Sequence, residues 1–178
     1  MHLASRFIKA IKPFAKIGYQ ATNEDLYDNY SNEIRQFILN NCFKNDNGTP
    51  LLEYEKIKIS RGEIRPPEEY SIQFVETPPP ENGSVKVTGI ITWKTPVEKV
   101  DWMLNLKDNV MLCMFSDSGD EGLAWMNSNM AERKDGTLSF PIPKSDKPIH
   151  FWMFFHNPNA HEGVSKKKIS DSVYLGCI

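Results

Sequence analysis

From Asn45 onward no helical period runs through the chain; short strand-like runs follow one another between clusters of turn residues. The runs cover 54–61, 70–75, 85–93, 109–115, 122–126, 137–142, 149–156 and 172–178, and most are rich in β-branched and aromatic residues. Between them stand Asn45-Asp-Asn-Gly-Thr-Pro50, Arg65-Pro-Pro67, Thr77-Pro-Pro-Pro-Glu-Asn-Gly83, Asp117-Ser-Gly-Asp-Glu-Gly122, Lys134-Asp-Gly136 and His156-Asn-Pro-Asn159, whose residues suit tight turns. Helical patterns are confined to the part before residue 45, so no crossover helices are available to join parallel strands, and hairpins must dominate. The expected fold is mainly β: a fibronectin- or Ig-like antiparallel β-sandwich of seven or eight strands preceded by two short α-helices. Trp93, Phe115, Trp125, Phe140, Trp152 and Phe154 are the expected filling between its two sheets.

The helical part reads as two elements. Leu3, Phe7, Ile8, Ile11, Phe14 and Ile17 recur at steps of three and four, with Arg6, Lys9, Lys12 and Lys16 between them, which makes a basic amphipathic helix. Pro13 should kink or end it near Lys12, and Gly18 supplies a stop. A second helix takes Thr22 or Asn23 as cap, Glu24 and Asp25 in its first turn, and Leu26, Tyr30, Ile34, Phe37 and Ile38 as its stripe, ending near Asn40. The domain division that follows is 1–44, a helical segment packing on the sandwich, and 45–178, the sandwich itself.

With 178 residues of which 40% are hydrophobic, the chain can bury a sizeable core, and its net charge of -2 gives no sign of a nucleic-acid binder. No apolar run has the length of a membrane span, and the lysines among the first residues do not fit a signal peptide, so synthesis in the cytoplasm is expected. Cys42, Cys113 and Cys177 show no paired spacing; Cys113 and Cys177 are expected as small core residues in a reducing setting.

The segments Arg6-Phe-Ile-Lys-Ala-Ile-Lys-Pro-Phe-Ala-Lys-Ile-Gly-Tyr19, Tyr54-Glu-Lys-Ile-Lys-Ile-Ser-Arg-Gly62 and Ser170-Asp-Ser-Val-Tyr-Leu-Gly176 together resemble a family of uncharacterised Bacteroidota proteins known as a domain of unknown function. The resemblance covers nearly the whole chain, and Ser-Arg-Gly with the Ser-x-Ser-Val-Tyr-Leu-Gly ending is its more specific part. Family members usually carry a glycine-rich segment before the first helix, which this sequence lacks. The resemblance implies a sandwich fold, a bacterial or phage origin and a structural or virion-associated role; it carries over no catalytic residue, cofactor or site.

Candidate chemistry is sparse. Asp117, Asp120 and Glu121 could offer oxygens to calcium, but their spacing is not that of an EF-hand, and a solvated turn explains the same residues. His150, His156 and His161 are close in sequence, yet on a strand the first two stand about 20 Å apart at roughly 3.3 Å per residue, too far for one zinc ion. No G-x-S-x-G elbow, phosphate loop or H-E-x-x-H motif is present. A Cys113–His150 pair would place the thiol inside a strand, away from the electropositive setting that activates cysteine. No catalytic, metal or cofactor residue is therefore assigned.

The functional expectation is a non-catalytic structural or interaction module, a repeated component of a larger assembly such as a phage particle or bacterial appendage, with protein partners or self-assembly into a homo-oligomer. Its partner-binding candidates are Arg6, Phe7, Lys9, Lys12 and Lys16 of the basic helix, and Trp102 after the polar loop 95–101. The competing explanation for the helix is that Phe7, Ile8 and Ile11 simply pack on the rest of the domain. Alternatives for the whole chain are a carbohydrate-binding sandwich that presents Trp102 to sugar rings, and an enzyme of unknown class.

Overall fold

The apolar stripe of the first residues winds into a single helix, α1 (His2–Tyr19), followed by α2 (Tyr30–Asn41). The structure is a computed structural model and describes residues 2–19, 30–79, 85–95, 105–118, 122–157 and 169–178. The expected start of the second helix, with its caps and Leu26, lies outside the described residues. Pro13 does not end α1: the helix runs through it for another turn and a half, to Tyr19. Lys9, whose carbonyl loses its donor at Pro13, lies with Pro13 on the exposed face, while Phe14, Ala15 and Tyr19 beyond the proline are buried. Burial of that last stretch outweighs the missing hydrogen bond.

Next comes a hairpin that sequence reading treated only as a turn, β1 (Phe43–Asp46) and β2 (Thr49–Leu52). Its two-residue bend places Asn47 at φ 50° and Gly48 at φ 86°, the left-handed pair that an Asn-Gly turn provides. The expected boundary at residue 44 thus falls inside β1.

Seven further strands make the sandwich: β3 (Ser71–Thr77), β4 (Lys86–Thr92), β5 (Asn109–Ser116), β6 (Leu123–Glu132), β7 (Thr137–Pro141), β8 (Ile149–His156) and β9 (Val173–Cys177). One sheet has the order β3-β4-β7 and the other β6-β5-β8-β9, with every pairing antiparallel. First, second and fifth strands against fourth, third, sixth and seventh is the fibronectin-like arrangement that the hairpin-dominated sequence predicts.

The two central strands of the four-stranded sheet, β5 and β8, are buried on both faces. Val110, Leu112 and Met114 of β5 and Phe151, Met153 and Phe155 of β8 join Ile91, Trp93, Leu138 and Phe140 in the core between the sheets. Their neighbours of opposite parity, Met111, Cys113, Phe115, Trp152 and Phe154, pack instead under α1, against Phe7, Ile11 and Phe14. The architecture is therefore three layers, helix on sheet on sheet. Of the aromatic residues expected between the sheets, Trp93 and Phe140 are there and Trp125 packs at its margin, whereas Phe115, Trp152 and Phe154 fill the second core. The side-chain period of two requires this, since Trp152 and Phe154 cannot share a face with Phe151, Met153 and Phe155.

The run 54–61 is not a strand. Tyr54–Lys56 forms a 3-10 turn, and the extended segment after it is clasped between the end of α1 and the start of β9. Ile59 N donates to Ser172 Oγ (2.9 Å), Ser60 Oγ to the Ser170 carbonyl (2.8 Å), Gly62 N to Asp171 Oδ1 (3.2 Å) and Arg61 N to the Gly18 carbonyl (3.0 Å). Side-chain oxygens thus satisfy a backbone that alternation alone would assign to a ladder. Gly18, expected only as a helix stop, is a contact point: a Cβ there would stand 2.2 Å from the Ile59 carbonyl oxygen. At Gly62 it would stand 1.8 Å from that of Ile169.

At the end of the sandwich where β5 begins, a buried ion pair closes the interior. Arg133 reaches Asp108 at 3.0 Å, donates to the Arg65 carbonyl at 2.8 Å and lies 3.8 Å over the Phe155 ring. Burial pushes the Asp108 carboxyl up, opposed by the Arg133 guanidinium.

Two stability measurements check this account. Phe7→Ala should lose about 3–5 kcal/mol in denaturant unfolding, the range for a large aromatic removed from a core, while Lys12→Glu on the exposed face should stay within about 0.5 kcal/mol. Gly62→Ala should lower the melting temperature by more than Gly48→Ala, because only the first meets backbone.

Candidate functional site

The edges and ends of the sandwich are what its two cores leave open. Val85 before β4 and Ile178 after β9 meet at one cleft, and Val75 near the end of β3 and Leu123 at the start of β6 lie toward the same end of their own sheets, because Thr77 pairs with Lys86, Ser116 with Leu123 and Ile149, and His150 with Cys177. These are four of the seven large apolar side chains that are exposed among the described residues; the others, Leu39, Leu51 and Tyr70, are scattered. A concentration at one end is what a contact surface leaves, whereas single exposed apolar residues need no explanation.

A cleft of about 700 Å³ opens at this end, between the start of β4 and the β7–β8 connection. Its apolar lining includes half-buried Val87 and Ile142 and fully buried Ile149. Val85 and Ile178 form its lips, about half exposed (48% and 47%). Backbone bonds from Ile142 N to the Val87 carbonyl (2.9 Å) and between Ile149 and Ile178 (2.9 and 3.1 Å) hold the walls. Lys86, Lys144 and Lys147 stand on the rim, all exposed, and among the described residues none has an ion-pair partner. The nearby Asp146 carboxylate accepts a hydrogen bond from the Ser118 hydroxyl, and Ser116 Oγ and Ser145 Oγ, 2.6 Å apart, tie the β7–β8 connection to β5.

On the opposite face of β8 and β9, a few residues away, lies a half-buried aromatic cluster. Tyr54 stacks on His150 with ring centres 3.8 Å apart, His150 Nδ1 is 2.8 Å from the Tyr174 hydroxyl, and Trp152 lies 5.4 Å from the Tyr174 ring. Burial lowers the His150 pKa to about 4, with Glu55 opposing, so the ring is neutral at pH 7 and accepts or donates through one tautomer. Burial likewise raises Tyr174 above the ordinary phenol range and Tyr54 to about 12.

The residues singled out from the sequence are dispersed by the fold. Phe7 is fully buried, in edge contact with Phe115 at 4.9 Å, and is not available to a partner; this corrects its reading as a docking residue. Ile8 and Ile11 are buried with it. Arg6 forms an ion pair with Asp117 at 3.1 Å, which ties α1 to the β5–β6 connection and engages an acid read as a calcium candidate. Lys9, Lys12 and Lys16 lie on the exposed face of α1. Trp102, Asp120, Glu121 and His161 lie outside the described residues. Trp93 and Trp152 are buried, their indole nitrogens donating to the Arg133 and Ile57 carbonyls at 2.7 and 3.2 Å.

His150 and His156 sit at opposite ends of β8, as their spacing requires. Among the described residues no group of three or more His, Cys, Asp or Glu could hold a metal ion. Cys113 faces Trp152 in the core under α1, with burial pushing its thiol far up, so it forms no pair with His150. Cys177, expected in the core, is exposed beside Tyr174, because β9 is an edge strand and the residue falls beyond the reach of the helical layer. Among the described residues no helix is long and apolar enough to cross a membrane. The sequence matches no protein-family model and no curated protein, so the functional reading rests on the geometry.

The cleft was missed in the sequence because its parts lie far apart in the chain. Its only sequence signal is Pro141-Ile-Pro-Lys-Ser-Asp-Lys-Pro148, a proline-braced loop that keeps lysines and an isoleucine at a strand junction.

The neutral histidine sets a pH dependence. Because its folded pKa is depressed, the stabilisation is full above about pH 6.5 and is lost as pH falls toward 4. Melting curves of the wild type and His150→Gln should run parallel from pH 8 to 6.5 and converge between 6.5 and 4, the wild type falling faster.

Proposed function

We propose that this chain is a non-catalytic interaction module that docks a protein partner with the end of its sandwich that carries Val85 and Ile178. The observation that carries this reading is the pair of half-exposed apolar residues Val85 and Ile178 at the lips of a cleft at the sandwich end, while the apolar face of α1 is already used inside the domain. Lys86, Lys144 and Lys147, exposed and without an ion-pair partner among the described residues, favour a partner whose contact surface is acidic. A larger assembly, such as a phage particle or bacterial appendage, is the setting in which a small sandwich held rigid by two cores is useful as a building block. The contact surface assigned to the basic helix thereby moves from α1 to the sandwich end; the exposed lysines of α1 remain a secondary, electrostatic surface.

Affinity purification of the full chain from its own cells should yield a stoichiometric partner, or an oligomer of the chain itself by light scattering. Val85→Asp with Ile178→Asp should abolish that association at an unchanged melting temperature, and Leu51→Asp on the β1–β2 hairpin should leave it intact. Association that survives in the double variant refutes end-on docking.

A further inference from the structure

The cleft at the docking end has a composition more specific than a general contact patch. Its lining is mainly apolar, with Val87, Ile142 and Ile149 its more buried apolar side chains and Thr88 and Ser145 beside them, and the exposed Lys86, Lys144 and Lys147 share the opening with Val85 and Ile178. An apolar base with a cationic rim is complementary to an apolar side chain flanked by carboxylates. We propose that the cleft is a recognition pocket for an extended acidic peptide segment of the partner, in which one or two aliphatic or aromatic side chains enter the base and adjacent Asp or Glu side chains meet Lys86, Lys144 and Lys147. This rests on the docking role of the same end and names what it recognises.

Three observations select this occupant. The volume of about 700 Å³ accommodates a few side chains, not a folded surface, and falls in the range of about 300–1,000 Å³ typical of ligand pockets. The exposed lips would be covered by the chain on either side of an inserted residue, whereas a small molecule confined to the base would leave them in water. The rim carries three cations against the Asp146 carboxylate beside it, which accepts from Ser118 and keeps its negative charge, so the local balance remains positive and favours an anionic ligand although the chain as a whole has a net charge of -2. A nucleic acid would satisfy the lysines and leave the aliphatic base unfilled; an acidic amphipathic segment uses both.

The lining is also pre-formed. Ile149 and Ile178 exchange backbone hydrogen bonds, Ile142 is bonded to Val87, and the β7–β8 connection is pinned by the Ser116–Ser145 contact and by the Lys147 carbonyl, which accepts from Ser116 Oγ at 3.3 Å. A peptide would therefore meet a site that requires little ordering on the protein side.

The test is a selection of randomised dodecapeptides, displayed on phage, against the full folded chain. Enriched peptides should share one or two large apolar residues next to at least two acids, and the best of them, synthesised with a fluorescent label, should bind in anisotropy titrations with affinity that falls as salt rises. Lys86→Glu/Lys144→Glu/Lys147→Glu should weaken that peptide at least tenfold at an unchanged melting temperature, and so should replacing the peptide's acids by their amides or its apolar residues by serine. Enrichment without an acidic consensus, no enrichment, or equal binding to the triple variant overturns the proposal. So does equal displacement of the labelled peptide by single-stranded DNA at the same charge concentration. The two readings fail separately: if the natural association is abolished by Val85→Asp with Ile178→Asp yet unaffected by the triple lysine variant, docking stands and the acidic-segment pocket falls.

Discussion

Burial of the two central strands of the four-stranded sheet, β5 and β8, on both faces is the constraint from which the rest follows. Nearly every residue of β5 and β8 is buried, so each strand must be apolar on both sides, and each side needs its own cover. The three-stranded sheet supplies one cover and α1 the other. By area bookkeeping, burying a large apolar side chain such as Phe7 is worth roughly 1.5–3 kcal/mol, so the helix contributes to the stability of the sandwich itself and is not an appendage. Its continuity through Pro13 has the same origin, since the turn beyond the proline carries Phe14, Ala15 and Tyr19 into that core.

Holding α1 in place requires polar closure as well as apolar contact. The extended segment after Tyr54 passes between the end of the helix and the start of β9; its Ile59 and Gly62 amides donate to the Ser172 and Asp171 side chains, and its Ser60 hydroxyl donates to the Ser170 carbonyl. Tyr19 adds a hydroxyl bond to the Lys58 carbonyl at 2.7 Å. Ser60-Arg-Gly62 and Ser170-Asp-Ser172 are thus two halves of one clasp, with Gly62 there because its backbone touches that of Ile169. Such motifs read as functional in a sequence, and here their physical role is to lock a segment over the sheet.

Much of the fold was legible. The runs at 109–115, 137–142 and 149–156 correspond closely to strands, and the segregation of helices from strands foretold antiparallel pairing. Less legible were elements whose hydrogen bonds come from side chains, such as 57–63, and the β1–β2 hairpin, whose strands are short and largely exposed. The continuous apolar runs Val110 to Phe115 and Phe151 to Phe155 did carry a sign of the third layer, because a strand covered on one face alternates and one covered on both does not. Of the candidate site, the lysines and prolines of the β7–β8 connection were visible as a loop, but nothing local linked them to Val85 or Ile178.

The sequence by itself determined the secondary structure class, the order of most elements and the amphipathic character of α1, because period, turn chemistry and helix stripe are properties of neighbouring residues. Only the tertiary structure decided what the stripe of α1 covers, which aromatic residues belong to which core, that Cys177 is outside while Cys113 is inside, and that residues near 86, 144 and 178 enclose one cleft. Those outcomes depend on strand register and on which sheet each strand joins. They are set by contacts between residues far apart in the chain, where a shift of one residue would exchange the two faces of a strand.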